Sequence, residues 1–492
     1  MKQPLSIAMA VLLLCGTLAS CGDNSEGTVT TTAAADTEVI TEAVTEAPRV
    51  TANLPAKDFG GEEFTFYGRI YAGGDWSADD ILVHTATGDT IDDAVYERTM
   101  YIEDTYNVKL GVIESQNGSI GSLVKPLLLA GDTSFHAIVS AVVDAGGWAA
   151  EHLLWDLNEV ANLDLTAPWW SQKANSTMSL ANRQYYVTGD IFIVDNQAIR
   201  MVFFNKDMIE EFDLESPYTL VRNNEWTIEK LVEYSETVQG DLNGDNTFKP
   251  GDDRWGTMAQ GSFGSVLYYA SGNTITAKDK DDLPYIACNT DAAMTVMSGI
   301  SQQISSCDAI LMSNENTSTD SAWPDNVRHF MDGRVLFAPE VLLLIELARN
   351  CSVDIGMLPP PKYDASQDGY YCFADNWCPN VVSIPITNAK PDDAGFIIEA
   401  MAADSMNNLT PAYYEVALTE KYARDKESVE MLDLILDSMV LENANIFGWG
   451  GIEGAVNDAI NNGTAIASTI EKRIKAAEKA IQKTVDKFLE TE

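Results

Sequence analysis

Residues 241–252 read Asp-Leu-Asn-Gly-Asp-Asn-Thr-Phe-Lys-Pro-Gly-Asp, and their oxygens are spaced as a hard cation requires. Side-chain oxygens fall at loop positions 1, 3, 5 and 12, which are Asp241, Asn243, Asp245 and Asp252, and Thr247 offers its carbonyl at position 7. Such converging oxygens suit Ca2+. Asn246 stands where glycine is usual, and asparagine tolerates the left-handed backbone that the turn demands. Asp252 replaces the usual glutamate and reaches less far. The expectation is a structural ion with no switching role. The competing reading is an Asp/Asn-rich surface turn without metal.

A second chemistry is carried by aromatic rings. The chain has 10 Trp, and four sit beside Gly, Asp or Asn in loop-like sequence: Trp76, Trp148, Trp377 and Trp449. An indole face stacks on the C–H face of a sugar ring, and neighbouring Asp and Asn side chains bond its hydroxyls. The opposing expectation for each ring is core packing, since tryptophan is highly buried on average.

Signatures of catalysis are missing. There is no G-x-S-x-G, no H-E-x-x-H and no P-loop, and Gly448, Gly450, Gly451 and Gly454 miss the dinucleotide spacing. With 74 acidic residues, some carboxylate pair will always sit at a glycosidase-like separation, so that signal says nothing alone. Seven Cys occur without a C-x-x-C, and the four His are scattered, so a zinc site is poorly supported. Cys372 and Cys378 are open to two readings, a small loop disulfide or two buried thiols. The formal charge of −43 argues against nucleic acid and against docking on anionic lipid by overall charge.

The N-terminus has the anatomy of an export signal. Lys2 is the positive n-region, Ser6 to Leu18 the apolar h-region, and Leu18-Ala19-Ser20-Cys21 resembles a bacterial lipobox. The resemblance implies a signal peptide at 1–20, cleavage before Cys21 and a lipid on that thiol, placing the protein on the extracytoplasmic face of a cell membrane. Residues 21–56 are rich in Thr, Ala and Glu and read as a disordered tether. Only the first twenty residues resemble a membrane-directed segment, which excludes a polytopic membrane protein.

The body must then supply elements that hold these groups in place. Glu63-Phe64-Thr65-Phe66 alternates as a strand does, and Thr90 with Asp93 caps a helix toward Tyr106. Val108 to Ile113 reads as a strand, Leu123 to Leu129 as a helix, and His136 to Val143 as an apolar run. Strands follow at Arg200–Phe204, Val335–Ala338 and Val381–Ile384, with helices at Lys206–Phe212 and after Thr227. Ile470, Ile474, Ala477, Ile481, Val485 and Phe488 recur at helical spacing near the C-terminus. Alternating strands and helices predict an α/β structure with largely parallel sheets.

Three stretches carry a family resemblance. Gly88-Asp89-Thr90-Ile91-Asp92-Asp93-Ala94-Val95-Tyr96-Glu97-Arg98 is similar to an early segment of carbohydrate-type extracellular solute-binding proteins of ABC importers. Phe204-Asn205-Lys206 with Pro217-Tyr218 and Glu225-Trp226-Thr227, and Gly356-Met357-Leu358-Pro359-Pro360-Pro361-Lys362, resemble two further stretches of that maltose-binding-protein-like family. The resemblance implies a two-lobed periplasmic-binding-protein-like fold of type II, with the ligand in the cleft between lobes. It divides the chain into one lobe at 57–197 plus 373–410 and another at 198–372 plus 411–492. By position it implies ligand contacts at Asp75, Trp76, Asp144, Trp148, Asp190 and Asn196 on the first lobe, and Glu340, Trp377 and Trp449 from the second side and the crossings. It further implies a carbohydrate ligand, permease subunits as partners, a monomer, no catalytic residue and no catalytic cofactor. A surface glycoside hydrolase or lyase, and a glycan-binding sensor or adhesion lipoprotein, are the alternatives.

Overall fold

The computed structural model describes residues 49–71, 76–317, 324–347, 351, 353–375, 378–414, 426–463 and 465–490. The alternation at Glu63–Phe66 becomes β1 (Glu62–Gly68), in a sheet ordered β2-β1-β3-β13-β4. Its other strands are β2 (Val108–Glu114), β3 (Ala137–Ala141), β4 (Tyr186–Val187) and β13 (Asn380–Ser383). A second sheet is ordered β11-β5-β10-β6-β9. It comprises β5 (Arg200–Asn205), β6 (Trp255–Ala259), β9 (Ile310–Met312), β10 (Val335–Val341) and β11 (Ile355–Leu358).

The sheets are mixed, not purely parallel. β1 runs parallel to β2 and β3, but β13 is antiparallel to both β3 and β4. β6 runs parallel to β9 and β10, whereas β5 is antiparallel to β10 and β11. The two reversed strands share one cause. Each is the first strand after the chain arrives from the other sheet, so it starts at the end where its neighbours finish.

The passages between the sheets are laced together. Ile199 bridges Ala374, and β12 (Cys372–Phe373) pairs in parallel with β14 (Met439–Val440). Asp375 N–H donates to Ala198 C=O at 3.3 Å, and Ala374 N–H to Val440 C=O at 2.9 Å. Backbone bonds thus satisfy polar groups of a segment buried between two layers.

Local signals account for most helices. The helix Thr90–Tyr106 is capped by Asp89, whose carboxylate accepts Ile91 N–H at 2.9 Å, one residue before the expected Thr90. Asp93 accepts Thr87 N–H at 2.9 Å, upstream of the cap, so the capping pair expected of Thr90 and Asp93 does not form. Thr227 caps Ile228–Val238 through Lys230 N–H. The terminal helix Ile466–Leu489 buries Ile470, Ile474, Ala477, Ile481, Val485 and Phe488. Among the described residues no helix is long and apolar enough to cross a membrane.

One hydrophobic cluster fills the second half of the fold and continues onto one face of the first sheet. Another, with Phe66, Trp170, Phe192 and Phe396, fills that sheet's other face. A small hairpin of β7 (Thr276–Lys278) and β8 (Pro284–Ile286) reaches from the second half to the first. There Lys278 Nζ donates to Ser176 C=O at 2.6 Å and pairs with Asp282 at 2.9 Å. Asp282 in turn accepts Asn182 N–H at 2.9 Å.

Candidate functional site

In parallel α/β sheets the carboxyl ends of the strands carry the ligand-binding loops. Here those ends of both sheets converge on the laced passages. On the first sheet, Ala141 ends β3 and the helix Val142–Ala149 follows at once. Asp144 lies in its first turn and accepts Ile120 N–H at 3.2 Å. Trp148 on the same helix donates its indole N–H to Gly121 C=O at 3.4 Å. The two side chains grip the start of the helix Gly121–Leu129. A Cβ on Gly121 would stand 2.4 Å from the Asp144 carboxylate, so only glycine permits the contact. Burial pushes the Asp144 carboxyl up, and the N–H bonds of Ile120 and Gly121 and the nearby Arg69 charge pull it back. Arg69 is buried and donates to Gly118 C=O at 2.6 Å and to Cys378 C=O at 3.3 Å.

On the second sheet, Arg200 begins β5. Its guanidinium lies 2.9 Å from Asp375 and 3.5 Å from Glu340 near the end of β10. Glu340 is fully buried and accepts Gln260 Nε2–H at 2.7 Å from the loop after β6. Burial raises the Glu340 carboxyl against the pull of Arg200. Burial lowers Arg200, but Asp375 and Glu340 more than offset it. Glu453 is half-buried, raised by burial, hydrogen-bonded with Ser265 and Asn445, and close enough to feel Asp375. This edge is rich in acceptors, and its guanidinium is already paired. It suits hydrogen-bonding a polyhydroxylated neutral molecule better than holding an anion.

The remaining expected contacts fall as follows. Trp76 is half-buried against the core. Asp190 accepts Thr410 Oγ1–H at 3.0 Å, and burial raises its carboxyl to about 6. Asn196 is half-buried in the short helix Val194–Gln197, within the first passage. Trp449 is packed, not presented: it is buried, stacks on Phe447 with centroids 5.0 Å apart and donates to Thr484 Oγ1 at 3.0 Å. Trp148 is equally buried, so neither ring offers a free face. The turn that seats Trp449 depends on Gly450, at φ +60°, where a Cβ would lie 2.5 Å from Ala477 N. Asp75 and Trp377 lie outside the described residues, as does Cys21. Arg69, Arg200, Gln260, Asp375 and Glu453 are the groups that sequence reasoning missed. One signal was legible: an arginine opening the apolar run Arg200-Met201-Val202-Phe203-Phe204 needs a partner when buried.

Cys372 and Cys378 are both buried free thiols, which settles the two readings left open for them. In the 241–252 loop, Asn246 has φ +57°, the left-handed form expected at that position. Asp241 accepts Gly244 N–H at 2.7 Å and Asn246 N–H at 2.8 Å, and Lys249 Nζ stands 3.1 Å from Asp245. Among the described residues no group of three or more His, Cys, Asp or Glu side chains is gathered to hold a metal ion. Two cavities, of about 310 and 280 Å³, open elsewhere, beside Phe64 and His136 and beside Trp155 and Tyr185, and touch neither Asp144 nor Arg200.

Neither a family model nor a curated protein sequence matches the chain. Solved structures do share its fold. An ABC substrate-binding protein from Listeria monocytogenes in complex with cycloalternan is 12% identical, with a TM-score of 0.54 over 86% of this chain and 99% of that one. The cyclic α-maltosyl-1,6-maltose binding protein from Arthrobacter globiformis is 14% identical, with a TM-score of 0.55 over 86% and 100%. UgpB from Mycobacterium tuberculosis in complex with glycerophosphocholine is 13% identical, with a TM-score of 0.53 over 88% and 100%. With its two sheets and the strands laced between them, the chain has the two-lobed α/β fold of periplasmic binding proteins.

Proposed function

We propose that the protein is the substrate-binding component of an ABC importer. It captures a sugar or oligosaccharide between its lobes, closes on it by hinge rotation and hands it unchanged to a permease. The observation that carries this reading is the convergence of Asp144, Arg200, Glu340, Gln260 and Asp375 on the laced passages between two α/β sheets. Likeness to sugar-binding structures supports it. On this reading the lobes are 57–197 with 373–410 and 198–372 with 411–492, and the unit is a monomer. Trp76, Trp377, Asp75, Asp190 and Asn196 complete the ligand contacts. A lipid on Cys21 and the segment behind it hold the body at the extracytoplasmic face of the membrane. A structural Ca2+ in the 241–252 loop belongs to the same reading, supported by the oxygen spacing and the left-handed Asn246.

Calorimetric titration of the purified chain against a panel of neutral oligosaccharides tests the proposal, with mass analysis of the recovered sugar. Saturable binding with the sugar intact is expected. Released product would make the protein a hydrolase or lyase, and no binding to any glycan would overturn the reading.

A further inference from the structure

The terminal helix Ile466–Leu489 carries six basic and three acidic residues in a chain whose net charge is −43. Its lysines are not scattered. Lys472, Lys475, Lys479 and Lys483 are all exposed and follow one another at steps of three and four, so they form one row about 16 Å long. Half-buried Lys487 extends the row by a turn. Lys475, Lys479, Lys483 and Lys487 stand four apart, a spacing at which like charges oppose helix formation. Helix stability therefore does not account for the row. Among the described residues no acidic side chain pairs with any of these five lysines. Of the helix's own acids, Asp486 is taken by Gln482 Nε2–H at 2.7 Å, and Glu471 and Glu478, four residues before and three after Lys475, form no ion pair with it.

Apolar groups flank the same element. β8 packs against this helix and carries Tyr285, 51% exposed, and the helix ends in Leu489, 53% exposed. We infer that this face is an electrostatic docking ridge for an anionic phospholipid surface. A row of ammonium groups beside an exposed tyrosine and leucine has the composition of a peripheral lipid contact. Lysine acts as a point charge and suits mobile headgroup phosphates, whereas fork-like pairing with carboxylates of a protein partner favours arginine. The overall negative charge does not cancel the ridge, because screening confines each charge to about 8 Å at physiological ionic strength. It orients the body instead, turning the acidic remainder away. The proximity of a bilayer rests on the lipid-anchor part of the proposed function.

The test uses the chain from Gly22, which lacks signal and acyl group, in co-sedimentation with vesicles of phosphatidylcholine with and without phosphatidylglycerol. Partitioning is expected to rise with phosphatidylglycerol and to fall at high salt. The combined variant Lys472→Gln, Lys475→Gln, Lys479→Gln, Lys483→Gln should lose at least about tenfold in partitioning. Circular dichroism and glycan titration on the same variant should match the parent, which separates loss of the ridge from loss of the fold or of the cleft. Equal partitioning of parent and variant, or no preference for the anionic vesicles, would overturn the inference. So would binding of the parent to polyglutamate alone, which would make the partner an acidic protein segment.

Discussion

Arg200 holds Asp375 at 2.9 Å, and the pair ties the first strand of the second sheet to the passage that returns to the first. The same guanidinium stands 3.5 Å from Glu340, which has no exposed surface. Removing the cation strands a buried carboxylate. Arg200→Ala should therefore lower stability by about 3–5 kcal/mol. Urea unfolding followed by tryptophan fluorescence measures it, with Asp375→Asn expected to cost less because Asp375 is partly solvated. An unchanged midpoint for Arg200→Ala would refute the role.

Stability should also depend on pH through Glu399. Burial raises its carboxyl from 4.5 to about 7, against the pull of the Trp170 indole N–H at 2.9 Å. Between those two values the native state keeps a proton that the unfolded chain has released. Stability should thus decline as pH rises from 4.5 toward 7 and level off above. The total is on the order of 3 kcal/mol. Glu399→Gln should flatten this slope, and a variant with the parent's slope would count against the assignment.

The two kinds of tryptophan should separate on mutation. Trp76 is half-buried, so Trp76→Ala should weaken glycan binding at least tenfold with little change in melting temperature. Trp449 is 2% exposed and hydrogen-bonded to Thr484, so Trp449→Ala should destabilise by about 3–5 kcal/mol. Calorimetric titration and thermal melts on both variants test the split. The reverse pattern would place the ligand against Trp449.

The calcium assignment has its own measurement. A chelator should lower the melting temperature of the parent, and added Ca2+ should restore it. Asp245→Ala should melt at one temperature in both conditions. Identical melting of the parent with and without chelator would leave the loop as a metal-free turn.

Much of the fold was legible because its signals are local. The period of Ile470 to Phe488 marked the terminal helix, and the alternation of Glu63 to Phe66 marked β1. The reversed direction of β5 and β13 was not, because it depends on which end of a sheet the chain enters. The site was less legible still. Gly-Gly-Trp148 and Gly-Trp449-Gly look like loop aromatics, yet both rings are buried, with Gly146 and Gly450 closely packed beside them. The groups at the passages, Arg200, Gln260 and Asp375, are far apart in sequence and meet only through topology.

The β7–β8 hairpin bears on how wide the two halves can swing. Lys278 and Asp282 reach across from the second half to Ser176 and Asn182 beside the first, and Thr276 of the same hairpin donates to Glu442, just past β14. In the proposed hinge closure, rotation about the laced strands pulls on this attachment as well, so the hairpin would act as a tether on the opening.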